Sequence, residues 1–399
     1  MSSEHAWTGR TWLAIAATMG GQGIGAAAHV APAVMAKEIA EHAGLAPSMI
    51  GVYMALVFLA SAFASLSGGG LIGRYGAISA VQAGVALSAI GCALAAIGHP
   101  AALAASALVV GLGYGPMTPA SSVVLSRWAP ARRLGLVMSI KQTGVPIGYF
   151  LTALGIPVLA SAVGWQGALL TLAAIGVGAS VLISLARSRL DEPGPNVGGG
   201  FTSARLSLGL LKRHNRLRRI AFASLAFAGV QVTVTSFLVV YLQDHVGLDK
   251  QSAAWPLAVA GVAAIAGRIG WGWLADGMPA ARLLMILPLL MAATLLAMIA
   301  AGASWGFLLL TGLGLAVGLS VLAWNGVMLI ETARQAPPGQ VGLATSGVLA
   351  LTFLGSTIFP ILLSITIGAL ASYQIGFIAM IVVSIVVALW YLPDALRGK

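Results

Sequence analysis

The segment RWAPARRLGLVMS (residues 127–139) recurs in altered form as RQAPPGQVGLATS (residues 334–346). The Arg, the Ala-Pro pair, the Gly-Leu pair and the Ser match at a constant offset of 207 residues. A second pair, GGLIGRYG (residues 69–76) and GWLADGMP (residues 272–279), lies 203 residues apart. A repeat at about half the length of a 399-residue chain indicates two copies of one structural unit.

The composition places both units in a membrane. Apolar residues make up 59% of the chain and charged residues 8%, whereas soluble domains carry about 25% charged residues. Long apolar runs recur, each near the roughly 20 residues that span a bilayer as a helix, and the alternating pattern of a membrane β-barrel is absent. We predict an all-α membrane protein with twelve transmembrane helices in two pseudo-symmetric six-helix bundles, near residues 12–36, 47–72, 76–98, 101–126, 134–160, 166–186, 218–243, 251–275, 282–302, 305–333, 340–368 and 373–392.

The cationic residues predict how these spans are oriented. Seventeen of the 21 Lys and Arg fall on one side of the predicted spans, and only Lys37 and Lys250 on the other. The positive-inside rule assigns the basic side, with both termini, to the cytoplasm. We therefore expect a multi-pass protein of the cell (inner) membrane, acting as a monomer. The net charge of +11 is explained by this topology and requires no nucleic acid partner.

One long connection separates the two copies. We predict an N-terminal bundle at 1–186, a cytoplasmic linker at 187–217 and a C-terminal bundle at 218–399. The stretch DEPGPNVGGG (191–200) predicts a flexible segment. Two interpretations remain open for LSLGLLKRHNRLRR (206–219): an amphipathic helix on an anionic membrane surface, or a solvated basic linker.

This organisation resembles the major facilitator superfamily. The family has a Gly-x-x-x-Asp-Arg-x-Gly signature between spans 2 and 3, and the first copy keeps Gly69 and Arg74 but has Gly73 in place of the Asp. The second copy keeps Gly272 and Asp276 but lacks the Arg. Each half thus retains one charge of the pair, so the resemblance implies that the family's loop ion network is at best partial. The two retained charges, Arg74 and Asp276, are candidates for gating or proton coupling.

Two further segments resemble organic-anion members of the family. GRIGWGWLAD (267–276) is similar to span 8 of oxalate and monocarboxylate porters, which implies that Arg268 helps to bind a carboxylate. SIKQTGVPIG (139–148) resembles span 5 of cyanate-porter-like members. The aromatic and acidic span-1 signature of monocarboxylate porters is missing. Within the family fold, spans 5 and 8 face each other across the interface between the halves.

Lys141 and Arg268 are the two cations left inside predicted spans. Each costs about 2.5–3.5 kcal/mol at a helix centre, and each lies roughly 12 Å from the basic side at 1.5 Å per residue. Like charges at one depth repel unless an anion lies between them, so the pair predicts a negatively charged substrate. Two alternatives remain open: Lys141 extends to the basic surface, or Arg268 bonds to freed backbone carbonyls or Glu331 as an inner gate.

Other polar residues in spans are candidates for the same path. The proposed substrate-binding set adds the amides Gln22, Gln231 and Gln142, the aromatic residues Tyr114 and Trp324, and Asn325. For gating or proton coupling the candidates are Glu331, which we expect to pair with Arg334 or Arg127, and His29, the only histidine in a span. Pro146 in span 5 predicts a helix kink.

We predict a secondary transporter for a small organic anion, a carboxylate. We do not expect an enzyme or a bound cofactor, because no catalytic, cofactor or metal motif is visible. Alternating access with proton symport or anion exchange fits two parallel halves around a central site. The alternative is efflux of drugs or other hydrophobic compounds, although proton-driven cation exporters use a buried acid that this chain lacks at mid-membrane.

Overall fold

A computed structural model describes residues 7–46, 49–191, 198, 200–370 and 372–397, without the side chain of Lys250. The predicted N-terminal and C-terminal ends and most of the flexible stretch 191–200 therefore lie outside the described residues. No strand occurs in the described part of the chain. The helices are α1 Gly9–Val34, α2 Ala36–Ala43, α3 Ile50–Tyr75, α4 Ala77–Ala95, α5 Pro100–Trp128, α6 Leu134–Gln142, α7 Gly144–Leu190, α8 Phe201–Arg213, α9 Asn215–Asp244, α10 Lys250–Gly277, α11 Ala280–Ile299, α12 Phe307–Ala316, α13 Asn325–Gln335, α14 Val341–Leu370 and α15 Tyr373–Leu396.

These helices supply the twelve predicted spans. Ten helical segments of the described chain are long and apolar enough to cross a membrane, and one of them, residues 131–190, is 60 residues long. That length is about 90 Å as a helix, enough for two crossings. The backbone turns at Gly164, where φ is 75°, so spans 5 and 6 separate there. With α1 as span 1, the chain forms two six-helix bundles, as predicted.

Small residues bring the helices into close contact. A Cβ atom at Gly111 of α5 would lie 2.4 Å from the carbonyl oxygen of Val57 in α3. One at Gly115, a turn later, would lie 2.4 Å from the carbonyl oxygen of Ser61. Because lipid supplies no hydrophobic force between helices, such close backbone packing is a main source of their association.

Two spans are interrupted. The sequence predicted the interruption in span 5, at Pro146, but not the one in span 10. Span 5 breaks at Thr143, between α6 and α7, three residues before Pro146. Span 10 divides into α12, a π-helical turn at Val317–Val321, and α13. Proline has no N–H and cannot bond the carbonyl four residues earlier, so Pro146 leaves the carbonyl oxygen of Gln142 without its helical donor. The interruption in span 10 likewise leaves backbone groups near Leu322 without their usual helical hydrogen-bond partners.

The connection between the bundles is more helical than expected. Helix α7 continues to Leu190 and α9 begins at Asn215, so the predicted linker at 187–217 contains the ends of two spans. The intervening α8 packs on α3 and α14, one helix from each bundle. Ser203 and Ser207 are fully buried in this contact, and the Ser203 hydroxyl donates to the carbonyl oxygen of Leu66 at 3.1 Å. The basic stretch is thus a helix with one packed face rather than an extended linker.

The bundles also contact each other directly near the end where α3 and α5 finish and α6 begins, which we call the basic end. There α3 and α5 pack on α14, and α6 packs on α10 and α13. The Ser65 hydroxyl of α3 donates to the carbonyl oxygen of Ser346 in α14 at 3.1 Å. These contacts set the arrangement of the interior side chains between the two bundles.

Candidate functional site

The ammonium group of Lys141 lies inside the N-terminal bundle. Its side chain is fully buried, and its ammonium donates to the side-chain oxygen of Gln22. It also donates to Oε1 of Gln142 at 3.0 Å and to the Thr118 hydroxyl at 3.4 Å. In this structure Lys141 therefore does not extend to the membrane surface. It is held by neutral oxygens, which satisfy its donors without neutralising its charge.

Gln22 links Lys141 to a tyrosine. Its Oε1 accepts a second hydrogen bond from the Thr118 hydroxyl at 2.9 Å, and its Nε2 donates to the Tyr114 hydroxyl at 3.4 Å. Gln22 and Tyr114 are both buried. Three spans, α1, α5 and α6, thus meet at one polar cluster in the N-terminal bundle.

Arg268 reaches this cluster from the other bundle. It is 3% exposed. Its Nη1 donates to the carbonyl oxygen of Gln142 at 2.5 Å, and its Nε donates to the carbonyl oxygen of Leu322 at 3.0 Å. The first carbonyl is the one that Pro146 leaves without a helical donor, and the second lies in the interruption of span 10. The freed-carbonyl interpretation of Arg268 thus describes its contacts in this state.

The two cations meet at Gln142. Lys141 contacts its side chain and Arg268 its backbone, and the guanidinium lies near enough to repel the ammonium. The phenol groups of Tyr114 and Tyr149 also lie near the guanidinium. Within the described part of the chain, neither cation forms an ion pair with a carboxylate. The interface between the bundles therefore holds a buried, net-positive polar centre.

The remaining predicted binding residues lie on the side of the C-terminal bundle. The Trp324 indole donates to Oε1 of Gln231 at 2.8 Å and packs against Phe227. Asn325 begins α13, and its Oδ1 is buried without a hydrogen-bond partner. Among the described residues, no hydrogen bond joins Gln231, Trp324 or Asn325 to the cluster around Lys141. The amides Gln22 and Gln231 of the two halves therefore belong to separate polar groups in this structure.

His29 lies among aromatic rings rather than among charges. Its ring is 4.9 Å from Phe58, 5.6 Å from Tyr114 and 6.0 Å from Tyr149, measured between centroids. Its Nδ1 is 3.4 Å from the Tyr149 hydroxyl, and its Nε2 is buried without a partner. Phe353, from α14 of the other bundle, lies against this group.

At the basic end, Asp276 joins the two bundles. Its carboxylate accepts the backbone N–H of Gly135 at 2.7 Å and that of Leu136 at 3.1 Å, at the start of α6. Arg334 forms its ion pair with Asp276, at 3.9 Å, and donates to the carbonyl oxygen of Ala275 at 2.9 Å. Asp276 thus caps a helix of the opposite bundle, and this contact joins the two bundles at the basic end.

The other predicted gating residues have different partners. Glu331 accepts a hydrogen bond from Gln335 at 2.8 Å, with Arg334 nearby. Arg334 forms its ion pair with Asp276 and not with Glu331, the partner that we expected. Arg74 is exposed, and its guanidinium lies over the ring of Tyr75. The ion pair of Asp276 is with Arg334 and not with Arg74. Arg127 lines a cavity of about 340 Å³ together with Asp191.

Sequence reasoning missed several neighbours of the polar centre. Thr118 lies one helical turn beyond Tyr114, and this spacing was the available signal. The carbonyl of Gln142 was also detectable, since Pro146 lies four residues later. Nothing local in the sequence marks Tyr149, Phe58 or Phe353, because their grouping depends on how distant spans pack.

The geometry defines a helical membrane protein with a positive site between two similar bundles. The model of the Major Facilitator Superfamily matches residues 11–331, and the chain belongs to this family of transporters. It is 31% identical to bovine monocarboxylate transporter 13 over 56% of this chain and 52% of that protein. It is 28% identical to monocarboxylate transporter 11 of Mus musculus over 81% of this chain and 73% of that protein.

A solved structure supports the same fold. The human organic anion transporter MFSD10 (TETRAN) superposes with a TM-score of 0.77 at 14% identity, over 96% of this chain and 99% of that chain. The chain spans about half the length of the bovine relative. These likenesses establish the family and the fold of the protein, and its cargo has to be argued from the site.

Proposed function

We propose that this protein is a secondary transporter that carries a small organic anion, a carboxylate, across the membrane by alternating access. The observation that carries the proposal is the pair of buried cations, Lys141 and Arg268, one from each bundle, without a carboxylate partner among the described residues. Two such charges are costly in a membrane interior. An anion bound between them offsets both that cost and their mutual repulsion.

The two hydrogen bonds of Arg268 use Nε and Nη1. The second terminal nitrogen, Nη2, takes part in neither bond and is left for the anion. A carboxylate can bind a guanidinium through two parallel N–H···O bonds, and hydrogen bonds to a charged acceptor are about twice as strong as those to a neutral one. A carboxylate that takes Nη1 and Nη2 therefore replaces the Gln142 carbonyl as the acceptor of Nη1.

This exchange of acceptors supplies a link between binding and motion. The bond from Arg268 to Gln142 joins the two bundles in this structure. When the anion takes over the guanidinium, it stands between Arg268 and the N-terminal bundle, with Lys141 on its other side. The halves then rock around the anion, as in transporters built from two repeats.

We infer the wider organisation on the same basis. The units 1–186 and 218–399 move as the two rocking halves, 187–217 connects them, and the basic end faces the cytoplasm of a monomer in the cell (inner) membrane. The positive-inside rule supports this orientation, and the helical link α8 supports these boundaries in part. The names of the two monocarboxylate transporter relatives support a carboxylate cargo.

Flux through purified protein in liposomes tests the cargo. Labelled mono- and dicarboxylates are screened for uptake and for counterflow, with and without a pH gradient. We expect saturable uptake of at least one carboxylate, lost in Arg268→Gln and kept in Arg132→Gln, a matched variant at an exposed position of the basic end. Stimulation by an inward pH gradient indicates proton symport, and stimulation only by internal anion indicates exchange.

Two results would overturn the proposal. One is carboxylate flux of wild-type size in Arg268→Gln, which removes this residue from the binding site. The other is an absence of carboxylate flux together with resistance to dyes or antibiotics on expression, which assigns the protein to efflux of hydrophobic compounds.

A further inference from the structure

A closed group of five rings lies beside the two cations. His29, Phe58, Tyr114 and Tyr149 come from four different spans of the N-terminal bundle, and Phe353 comes from the C-terminal bundle. The Phe353 ring is 6.4 Å from that of Phe58 and 6.1 Å from that of Tyr114, between centroids. We call these five side chains the aromatic box.

The box contains a polar atom that its own structure does not use. His29 is 1% exposed, and its Nε2 has no hydrogen-bond partner. A buried polar group left unpaired costs about 1–3 kcal/mol. A leucine or phenylalanine fills an aromatic core without this cost. An imidazole at this position is therefore accounted for by a ligand that carries a hydrogen-bonding group to Nε2.

The aromatic box directly adjoins the polar centre. Tyr114 belongs to both, since its hydroxyl accepts from Gln22 while its ring faces His29 and Phe353. Gln22 in turn contacts Lys141. Tyr149 likewise contacts His29 and lies near Arg268. A molecule whose negative end lies between the cations thus has its other end against the rings.

We propose that the substrate is an aromatic monocarboxylate, with a hydroxyl or oxo substituent on its ring system that bonds His29. This inference rests on the proposed carboxylate transport and names the class of carboxylate. The carboxylate binds Arg268 and Lys141, and the aryl group lies against the faces of Phe58 and Tyr114. Phe353, supplied by the other half, withdraws when the halves separate and closes over the aryl group when they approach.

The same geometry selects against other carboxylates. A short aliphatic acid binds the cations but does not reach the rings, and so forgoes the contacts that an aryl group makes. A dicarboxylate places its second charge among aromatic rings, where an ionised group without a partner is strongly disfavoured. The nitrogens of the aromatic box are the two of the His29 ring, and this ring does not supply the second guanidinium that such a charge needs.

Equilibrium binding to the full-length protein in nanodiscs tests this selectivity. Labelled benzoate is displaced by acetate, pyruvate, malonate, cyclohexanecarboxylate and the three hydroxybenzoate isomers. We expect benzoate to bind at least about tenfold more tightly than acetate or malonate, since each aromatic contact adds to the burial of the ring. At least one hydroxybenzoate is expected to bind roughly fivefold more tightly than benzoate through a buried hydrogen bond.

Variants locate the preference in the box. Phe353→Leu is expected to lower the benzoate-to-acetate affinity ratio about fivefold without changing acetate binding, because the cations remain. His29→Leu is expected to remove the hydroxybenzoate advantage and leave benzoate binding intact. Phe63→Leu, on the same helix as Phe58 but 51% exposed, is the matched control and keeps both ratios.

The wild-type protein alone can overturn the inference, so it does not depend on the folding of any variant. If acetate or malonate binds the wild-type protein as tightly as benzoate, the aromatic class is wrong while the proposed carboxylate transport stands. If none of these acids binds, the proposed carboxylate function fails and this inference fails with it. If the selectivity for benzoate is unchanged in both Phe353→Leu and Phe58→Leu, the aryl group of the substrate binds outside the aromatic box.

Discussion

Replacing Asp276 by Asn is expected to weaken closure of the basic end. The carboxylate accepts N–H groups of Gly135 and Leu136 at 2.7 and 3.1 Å, across the two bundles. An amide keeps one acceptor oxygen, so the variant loses one charge-assisted hydrogen bond, worth about 1.5–3 kcal/mol. It also loses the negative charge at the start of α6, worth about 0.3–1 kcal/mol. We take about 2 kcal/mol, near the lower bound of this sum, or about a 30-fold shift towards the open gate.

Spin-label distances between the halves measure this shift. Cys92 is the single cysteine and is buried, so labels at Ala131→Cys and Pro338→Cys, both exposed positions, are introduced in a Cys92→Ala background. In nanodiscs without substrate we expect the parent to give mainly the shorter distance. Asp276→Asn is expected to populate a longer distance at the basic end.

Asp191→Asn is the matched control. Asp191 accepts the N–H groups of Ile78 and Ser79 at 2.7 and 3.0 Å, the same kind of cap on the start of α4. This cap lies within one bundle, so its loss is expected to lower the unfolding temperature and leave the distance distribution unchanged. An unchanged distribution in Asp276→Asn, or an equal shift in Asp191→Asn, would refute the assignment of Asp276 to the gate.

Three further outcomes are expected. Gly148→Ala should destabilise the protein by about 1–3 kcal/mol, because a Cβ there meets a backbone oxygen of α1 at 2.3 Å, whereas Gly155→Ala on the same helix meets nothing and should be neutral; thermal unfolding followed by tryptophan fluorescence compares them. Arg268→Lys should lower carboxylate uptake at least about tenfold, because an ammonium cannot make the two-pronged contact, and tracer flux measures it. Trp324→Phe should cost about 1 kcal/mol in unfolding, through loss of the bond to Gln231.

The bundle architecture follows from the sequence because its causes are local. The apolar runs set the spans, the charges between them set a basic side, and the repeat at residues 127 and 334 sets two halves. The burial of Lys141 and Arg268 follows for the same reason, since each lies well inside an apolar run. Among the described residues neither cation pairs with a carboxylate, in agreement with the absence of acidic residues from the middle of the predicted spans.

The contacts around these residues depend on distant packing and were less accessible. Arg268 bonds a carbonyl freed by Pro146, and the proline was visible while its pairing with a residue 126 positions away was not. The loop signature marked Asp276 as a gating candidate but gave no indication that its carboxylate caps α6 of the opposite bundle. The contact between Phe58 and Phe353 requires spans 2 and 11 to pack against each other. No sequence feature of either span predicts this packing.

Helix α8 has a mechanical consequence. It is continuous over 13 residues, about 20 Å long, and rests on α3 and α14 together while its C-terminal end leads directly into α9. In the rocking motion proposed above, α3 and α14 separate at the basic end, and α8 has to leave one of them while staying attached to the chain at both ends. On that proposal, the strength of the packing of α8 on α3 and on α14 contributes to the lifetime of the state in which the two helices are held together.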